Sequence, residues 1–416
     1  MTAIALLNAD NEPYIVSDSL ITAEGPDPDK NKSVWLPAQG QIKSEWIEVD
    51  QPDANTIKIF HITRLGRKCF TLPDNTGILA FADSCEAAYS FWDKLSDKIN
   101  TNKSYDNLSR PSLNTLHDTI SGLGNDAHKF SLLGILIDEN SRRVPFIHNP
   151  TIQLTTKNFG TCYICGTGAS QLAEIIKAKD QAITAELRSK KISITEDLAE
   201  HISAEMLYQE SDISNGYDKE TPLAAFCGGF YEWHKIDPVG VRTMPSRVDL
   251  HFLILEGKLI LSRIYLIEQM QTLGKTALER YATSVITLGC KFFEVPKDVP
   301  YNEYSKFVSD EHENIGVFIK STFSLYDEDK KNKTPKRLSG KTNSDTLRHL
   351  FPTPLQIDRT RIIIGNNEDT SISSRWHAEE CGFIPITIKL IDDQLVVHIS
   401  NNLINYAWKA VQRLNQ

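Results

Sequence analysis

Apolar runs too short to be helices recur in pairs along the first 270 residues, and turn chemistry separates the members of each pair. Residues 3–7 and 14–16 flank Asn8-Ala9-Asp10-Asn11-Glu12-Pro13, and residues 130–137 and 144–147 flank Asp138-Glu139-Asn140-Ser141. Residues 250–255 and 259–266 flank Glu256-Gly257-Lys258. Runs joined in this way read as β-hairpins, and hairpins build antiparallel sheets. Further strand patterns fall at 56–63, 68–72, 77–82, 152–154, 161–165 and 226–234. Helical spacing appears in three places: Cys85, Ala88, Trp92, Leu95 and Ile99; Leu172, Ile175 and Ile176; and Leu198, Ile202 and Met206. Asp83 with Glu86, and Ser193 with Glu196, stand at capping-box spacing before the first and third of these. Residues 100–124 read as a long polar connection. The order strands, helix, strands, two helices, strands predicts an α+β layered fold of antiparallel sheets with segregated helices.

Beyond residue 271 the pattern changes to scattered strands at 284–287, 315–319, 361–364, 384–390 and 395–399. The polar stretch 326–343 interrupts them, and a final amphipathic helix carries Leu403, Ala407, Val411 and Leu414. A length of 416 residues fits two domains, with the boundary expected at 270/271 and a β-rich α/β domain after it. Lys and Arg number 45 against 54 Asp and Glu, and a net charge of −9 argues against a nucleic-acid partner. No apolar run reaches the ~20 residues of a spanning helix, so no membrane partner is expected. Seven scattered cysteines are an odd count and read as cytoplasmic usage. Cys162 and Cys165 lie three apart in a strand pattern, which points them to opposite faces and to a structural role. The histidines show no paired metal spacing, and neither metal nor cofactor is expected.

Thr2 is the candidate nucleophile. Removal of Met1, common before a small residue, leaves Thr2 with a free α-amine that titrates at ~7.7–8.0. Hydroxyl and base then stand on one residue.

Thr2-Ala3-Ile4-Ala5-Leu6-Leu7 followed by Ile15-Val16-Ser17-Asp18-Ser19 resembles the opening of the N-terminal nucleophile (Ntn) hydrolases of the proteasome class. Those are the proteasome β subunits and the bacterial proteasome-like peptidases. Arg67-Lys68-Cys69-Phe70 resembles the family's Lys-bearing strand. Gly77-Ile78-Leu79-Ala80-Phe81-Ala82-Asp83-Ser84 resembles its apolar strand and tight turn. Cys165-Gly166-Thr167-Gly168 resembles its turn into the second helix, and Cys227-Gly228-Gly229 its Ser-Gly-Gly element. The likeness covers residues 2–270 in order. It implies a four-layer αββα sandwich with insertions at about 19–63 and 100–125.

The resemblance also implies roles. Thr2 is the nucleophile, Lys68 the cation beside its hydroxyl, and Asp18 the partner that orients Lys68. The Ala82 N–H donates to the oxyanion, and the Thr167 hydroxyl bonds the terminal amine. The implied activity is peptide-bond hydrolysis through a Thr2 ester, by a homo-oligomer acting on a peptide or protein. Any ATP-dependent unfoldase is a separate chain, because Ser339-Gly340-Lys341-Thr342 lacks the first glycine of a phosphate loop. The chain departs from the family at Ala224, where an Asp usually supports the amine, and Asp212 is an expected substitute. Two other readings stay open: a catalytically silent assembly or binding module on the same fold, and a small-molecule amidase. Locally, Asp18 could cap a turn, Lys68 could end a strand in solvent, and Thr167 could cap a helix.

Overall fold

The computed structural model describes residues 2–30, 33–36, 40–43, 45–49, 58–106, 110–183, 193–210, 227–271, 281–308, 315–323, 338–339, 344–357, 359–366, 372–377 and 384–414. The chain is α+β, and its sheets are largely antiparallel. Sheet 1 has six strands in the order Ile152–Thr156, Gly160–Cys165, Ile4–Leu7, Tyr14–Ser17, Glu232–Asp237 and Gly240–Thr243. Sheet 2 has four, in the order Arg143–His148, Phe130–Ile137, Gly77–Asp83 and Cys69–Thr71. Every pairing within these two sheets is antiparallel.

The central strands are apolar throughout because both of their faces are covered. Ile4 and Leu6 meet Ile78, Ala80 and Ala82 of sheet 2 in one core cluster, whereas Ala3, Ala5 and Leu7 turn the other way, toward helices. Leu79 and Phe81 point to the opposite face of sheet 2, onto helix α1 (Cys85–Asp106) and helix α2 (Leu113–Ser121). The period-2 alternation of strand side chains thus divides each run between two cores. Helix α3 (Ala169–Ala182) and helix α4 (Ile194–Gln209) cover the outer face of sheet 1. Cys162 and Cys165 sit in different clusters on opposite faces of their strand, and both are buried free thiols, as the spacing requires.

Several sequence expectations need correction. Helix α1 is capped by Ser84, whose hydroxyl accepts from Ala87 N (3.2 Å), and not by Asp83, which ends the strand at φ +72°. The stretch 100–124 is not one connection. Helix α1 runs on to Asp106, and α2 follows, closed by a capping box between Ser112 and Thr115 and buried through Leu116 and Ile120. In the expected strand 226–234, residues 227–231 are irregular, because Gly228 and Gly229 take positive φ, and the strand begins at Glu232. Residues 19–63 carry strands of their own: Leu20–Glu24 and Glu45–Val49 flank Lys58–Leu65, and Ser33–Leu36 pairs with Gly40–Lys43.

Sheet 3 has seven strands, in the order Leu338–Ser339, Ile315–Phe323, Tyr281–Glu294, Lys258–Gln271, Arg247–Leu255, Arg359–Asn366 and Ile372–His377. Position 270/271 falls at the end of one of these strands, which pairs along its length with Tyr281–Glu294. The pairing of Arg247–Leu255 with Arg359–Asn366 is parallel. Sheet 4 orders Tyr304–Val308, Gln394–Ser400, Ile386–Ile391 and Leu355–Ile357, and shares one core with sheet 3 and with Leu403, Ile404, Ala407 and Val411 of the last helix (Asn401–Leu414). Helix α4 lies between the two halves. Leu198, Ile202 and Met206 pack with sheet 1, while Tyr208 packs with Leu253 and Ile260 of sheet 3. Its buried residues face both sides and include Thr195, Glu200 and Ser203 among the apolar ones, which accounts for its weak amphipathic pattern. No helix among the described residues is long and apolar enough to cross a membrane.

Candidate active site

The hairpin of Ile4–Leu7 and Tyr14–Ser17 sets two residues beside each other just beyond its paired positions. Ile4 pairs with Ser17, so Ala3 faces Asp18. Asp18 N donates to Ala3 O, and Ala3 N donates to Asp18 Oδ1, both at 3.0 Å. Asp18 is therefore anchored to the main chain one residue from Thr2. Its other oxygen, Oδ2, accepts from Gly228 N at 3.0 Å.

Lys68 arrives from sheet 2. It precedes the edge strand Cys69–Thr71, and its carbonyl accepts from Phe81 N at 3.1 Å. Its Nζ donates to Asp18 Oδ1 at 2.6 Å and to Thr2 Oγ1 at 2.9 Å. Thr2 and Lys68 are fully buried and Asp18 nearly so, which makes this a cation, a carboxylate and a hydroxyl in a water-poor junction between two sheets. In such surroundings an ion pair is felt strongly. Neither charged residue serves the local role that the sequence alone allows: both carboxylate oxygens of Asp18 are taken up by Ala3, Gly228 and Lys68, and Lys68 is not solvated.

Thr167 comes from the turn after Gly160–Cys165, the other neighbour of the first strand. Its Oγ1 accepts from Thr2 N at 3.3 Å, and Gly168 N donates to Thr2 O at 3.2 Å. Gly168, without a side-chain bond, is the N-cap of α3, so the Thr167 hydroxyl is not a helix cap. The turn depends on Gly166, at φ +94°, where a Cβ would lie 2.0 Å from Thr2 O. Thr167 itself is exposed, whereas Thr2 beneath it is fully buried. Ala82 is fully buried beside Phe81 and pairs with Ser131 across sheet 2. The structure thus joins Thr2, Asp18, Lys68 and Thr167 by hydrogen bonds. Ala82 stands one residue along from the strand position that bonds Lys68.

Sequence reasoning missed the support around these residues. Ser19 and Leu20 donate to Gly228 O (3.1 and 3.0 Å), and Phe230 N donates to Ser19 Oγ (2.7 Å). Arg67, next to Lys68, makes a buried two-pronged bond to Glu232 at 2.9 and 2.8 Å. Glu210, fully buried at the end of α4, accepts from Gly229 N at 3.1 Å. Its signal was readable: it continues the Leu198, Ile202, Met206 spacing by four residues, a carboxyl where an apolar side chain belongs. Burial raises the Glu210 carboxyl well above its ordinary range; the Gly229 bond opposes this, and the charge of Asp18 adds to it. Ala224 and Asp212 lie outside the described residues. Burial also pushes Cys69 and Cys165 up to about 12, so both thiols stay protonated and unreactive at neutral pH. Among the described residues, no three His, Cys, Asp or Glu side chains converge to hold a metal.

No protein-family model and no curated protein matches the chain.

Proposed function

We propose that this chain is an N-terminal threonine hydrolase of the proteasome-like peptidase type, cleaving amide bonds through an ester on Thr2. The observation that carries the reading is the 2.9 Å contact of Lys68 Nζ with Thr2 Oγ1, made by a buried lysine that is held by Asp18. A hydroxyl with an ammonium group at hydrogen-bond distance gives up its proton more readily, because the cation stabilises the alkoxide. The helix–sheet–sheet–helix packing of sheets 1 and 2 with α1 to α4, a unit whose last strand is Gly240–Thr243, agrees with an Ntn-hydrolase sandwich.

Once Met1 is removed, the Thr2 amine accepts the hydroxyl proton, directly or through water, as Oγ1 attacks the substrate carbonyl. The oxyanion takes its hydrogen bond from a main-chain N–H on the Lys68 side of the Gly77–Asp83 strand end, an interaction of roughly 3–4 kcal/mol in the transition state; the Ala82 N–H that the resemblance implies is turned the other way, toward Ser131. The protonated amine then passes its proton to the leaving amine, and the acyl group remains on Thr2 as an ester. Water, deprotonated by the freed amine, hydrolyses the ester and restores the hydroxyl. Through these steps Thr167 holds the amine in place, and Asp18 holds the Lys68 Nζ beside Oγ1.

Two measurements on the cell-made protein test this. Intact mass should show loss of Met1, and a peptide epoxyketone, which captures the hydroxyl and amine of one residue, should label Thr2. Thr2→Ala should abolish labelling and peptide cleavage. Retention of Met1 overturns the reading. Native labelling no higher than that of Thr2→Ala favours a silent module on the same fold, and cleavage of small amides alone favours an amidase.

A further inference from the structure

The turn at Gly228–Gly229 is gripped from two sides. On one side Gly228 N donates to Asp18 Oδ2 at 3.0 Å, and Gly228 O accepts from Ser19 and Leu20. On the other, Gly229 N donates to Glu210 Oε2 at 3.1 Å. Gly229 takes φ +86°, and a Cβ there would lie 2.6 Å from Ser19 Oγ and from Leu65, so the turn has almost no room to shift. Neighbouring amides of one turn therefore point at two different carboxyl groups, Asp18 in the site and Glu210 behind it. We propose that Glu210 is a positioning residue for Thr2: by holding the Gly229 amide it aims the Gly228 amide at Asp18, and Asp18 in turn sets the Lys68 ammonium on the Thr2 hydroxyl.

The inference rests on Thr2 being the nucleophile. Glu210 itself touches neither Thr2 nor the reacting atoms, and it acts through four hydrogen bonds in series. Its chemistry suits the task. A second ionised carboxylate buried near Asp18 would repel it, and burial raises the Glu210 carboxyl well above its ordinary range, favouring the neutral form, with Asp18 reinforcing that. A neutral carboxyl still offers an oxygen to the amide. Cys227 and Tyr231, both fully buried, lie in the same region, so the turn packs against groups that carry no charge at neutral pH. A small change in the aim of a buried cation is enough to slow the chemistry, since misplacement by about 1 Å costs on the order of a hundredfold.

The test separates reach from charge and rate from binding. Purified native protein, Glu210→Gln, Glu210→Asp and Glu210→Ala are labelled with a peptide epoxyketone over a range of concentrations, giving a maximal labelling rate and a half-saturating concentration for each. Glu210→Gln keeps the reach and the acceptor and should label within about twofold of native. Glu210→Asp and Glu210→Ala lose the contact with Gly229 and should lose about ten- to hundredfold in maximal rate, with the half-saturating concentration unchanged. Should Glu210→Ala fail to fold, the Gln and Asp pair decides. Native maximal rates in folded Glu210→Asp, or an equal loss in Glu210→Gln, overturn the proposal while leaving Thr2 as nucleophile. No labelling of the native protein overturns both.

Discussion

Asp18 and Asp249 are both carboxylates shut away from solvent, and both bind cations, yet the two sites are built for different ends. Around Asp249 the cations are Arg247 and Arg361. Arg247 Nε lies 2.8 Å from Oδ1 and Arg361 Nε 3.1 Å from it, and a second nitrogen of each arginine reaches Oδ2. Arg361 also donates to Glu200 O (2.7 Å) and Ser203 Oγ (2.8 Å) on α4, and Arg247 stacks 4.3 Å over Trp233 of sheet 1. This cluster ties sheet 3 to the helix and sheet of the first half. Burial pushes the Asp249 carboxyl up, but the two guanidinium groups outweigh it and hold it below the usual range. Planar, permanently charged forks lock geometry. Around Asp18 the cation is a lysine, a compact point charge, and it shares its ammonium with a hydroxyl. The first arrangement is a clasp between elements; the second is a charge delivered to an oxygen.

The sharpest way to break this distinction is to remove one member of each charge cluster and read rate and stability separately. Lys68→Met should abolish most epoxyketone labelling, by about 10²–10³-fold, while the protein remains folded, because the cation beside Oγ1 is gone. Unchanged labelling would make the Lys68 pair a clasp like the other. Asp249→Ala should do the reverse. Two buried guanidinium groups lose their common counter-charge, and denaturant unfolding should show a loss of about 3–5 kcal/mol. Labelling of the molecules that remain folded should keep its native rate. A slowed rate in folded Asp249→Ala would mean that the seam between the halves tunes the site.

A third difference appears with pH. His234, on the sheet 1 strand that carries Glu232, is fully buried, and burial pushes its imidazole down to about 4, with Glu232 opposing and Arg67 assisting. Its folded value lies below the ordinary 6.5, so the unfolded chain binds the extra proton first as pH falls. The stability that neutral His234 contributes is complete above about 6.5 and lost progressively down to about 4, by roughly 3 kcal/mol in all. His234→Leu should flatten the stability profile in that window, as read by urea midpoints from pH 7 to pH 4. The Asp249 clasp should hold through the same range, since a depressed carboxyl gives up its contribution only below the ordinary carboxylate range. An unaltered profile in His234→Leu would show that this ring is not the acid-sensitive group.

What was legible in the sequence follows from range. The strands of sheets 1 and 2 announced themselves because burial on both faces leaves only apolar residues, as in 130–137. Thr2, Asp18 and Lys68 were legible through the resemblance of the segments around them to a known family, and each stands at the end of a strand, where the pairing of strands decides the neighbours. The spacing 198, 202, 206 marks Glu210 as an inward carboxyl but not its partner, and the link of Arg361 to Asp249 and to α4 was not legible, since these groups are brought close only by packing of α4 between two sheets. Arg361 stands more than a hundred residues from both Asp249 and Glu200, and such a separation leaves no local spacing to read. The boundary expected at 270/271 came from a change of pattern, but strand pairing in sheet 3 runs across it.

Helix α2 offers the mildest contrast with the two buried sites, and it tests whether the stretch 100–125 matters to the chemistry at all. Its first turn is closed at the surface: Ser112 Oγ accepts from Thr115 N at 3.1 Å, and Ser112 N donates to Thr115 Oγ1 at 3.3 Å. Cap and box sit on the solvent side of a helix whose other face buries Leu116 and Ile120 against α1 and sheet 2. Replacing a Ser cap by Ala typically costs about 1 kcal/mol, because one helical N–H loses its acceptor. Ser112→Ala should therefore shift the unfolding midpoint by about that much and leave the epoxyketone labelling rate unchanged. Glu210, in contrast, is expected to move the rate, because its hydrogen bond continues through the Gly228–Gly229 turn to Asp18, whereas no bond of the Ser112 cap leads toward Thr2. If Ser112→Ala slowed labelling as much as Glu210→Ala, slight loosening anywhere in the fold would suffice to disturb Thr2, and the special place given to the Gly228–Gly229 turn would be lost.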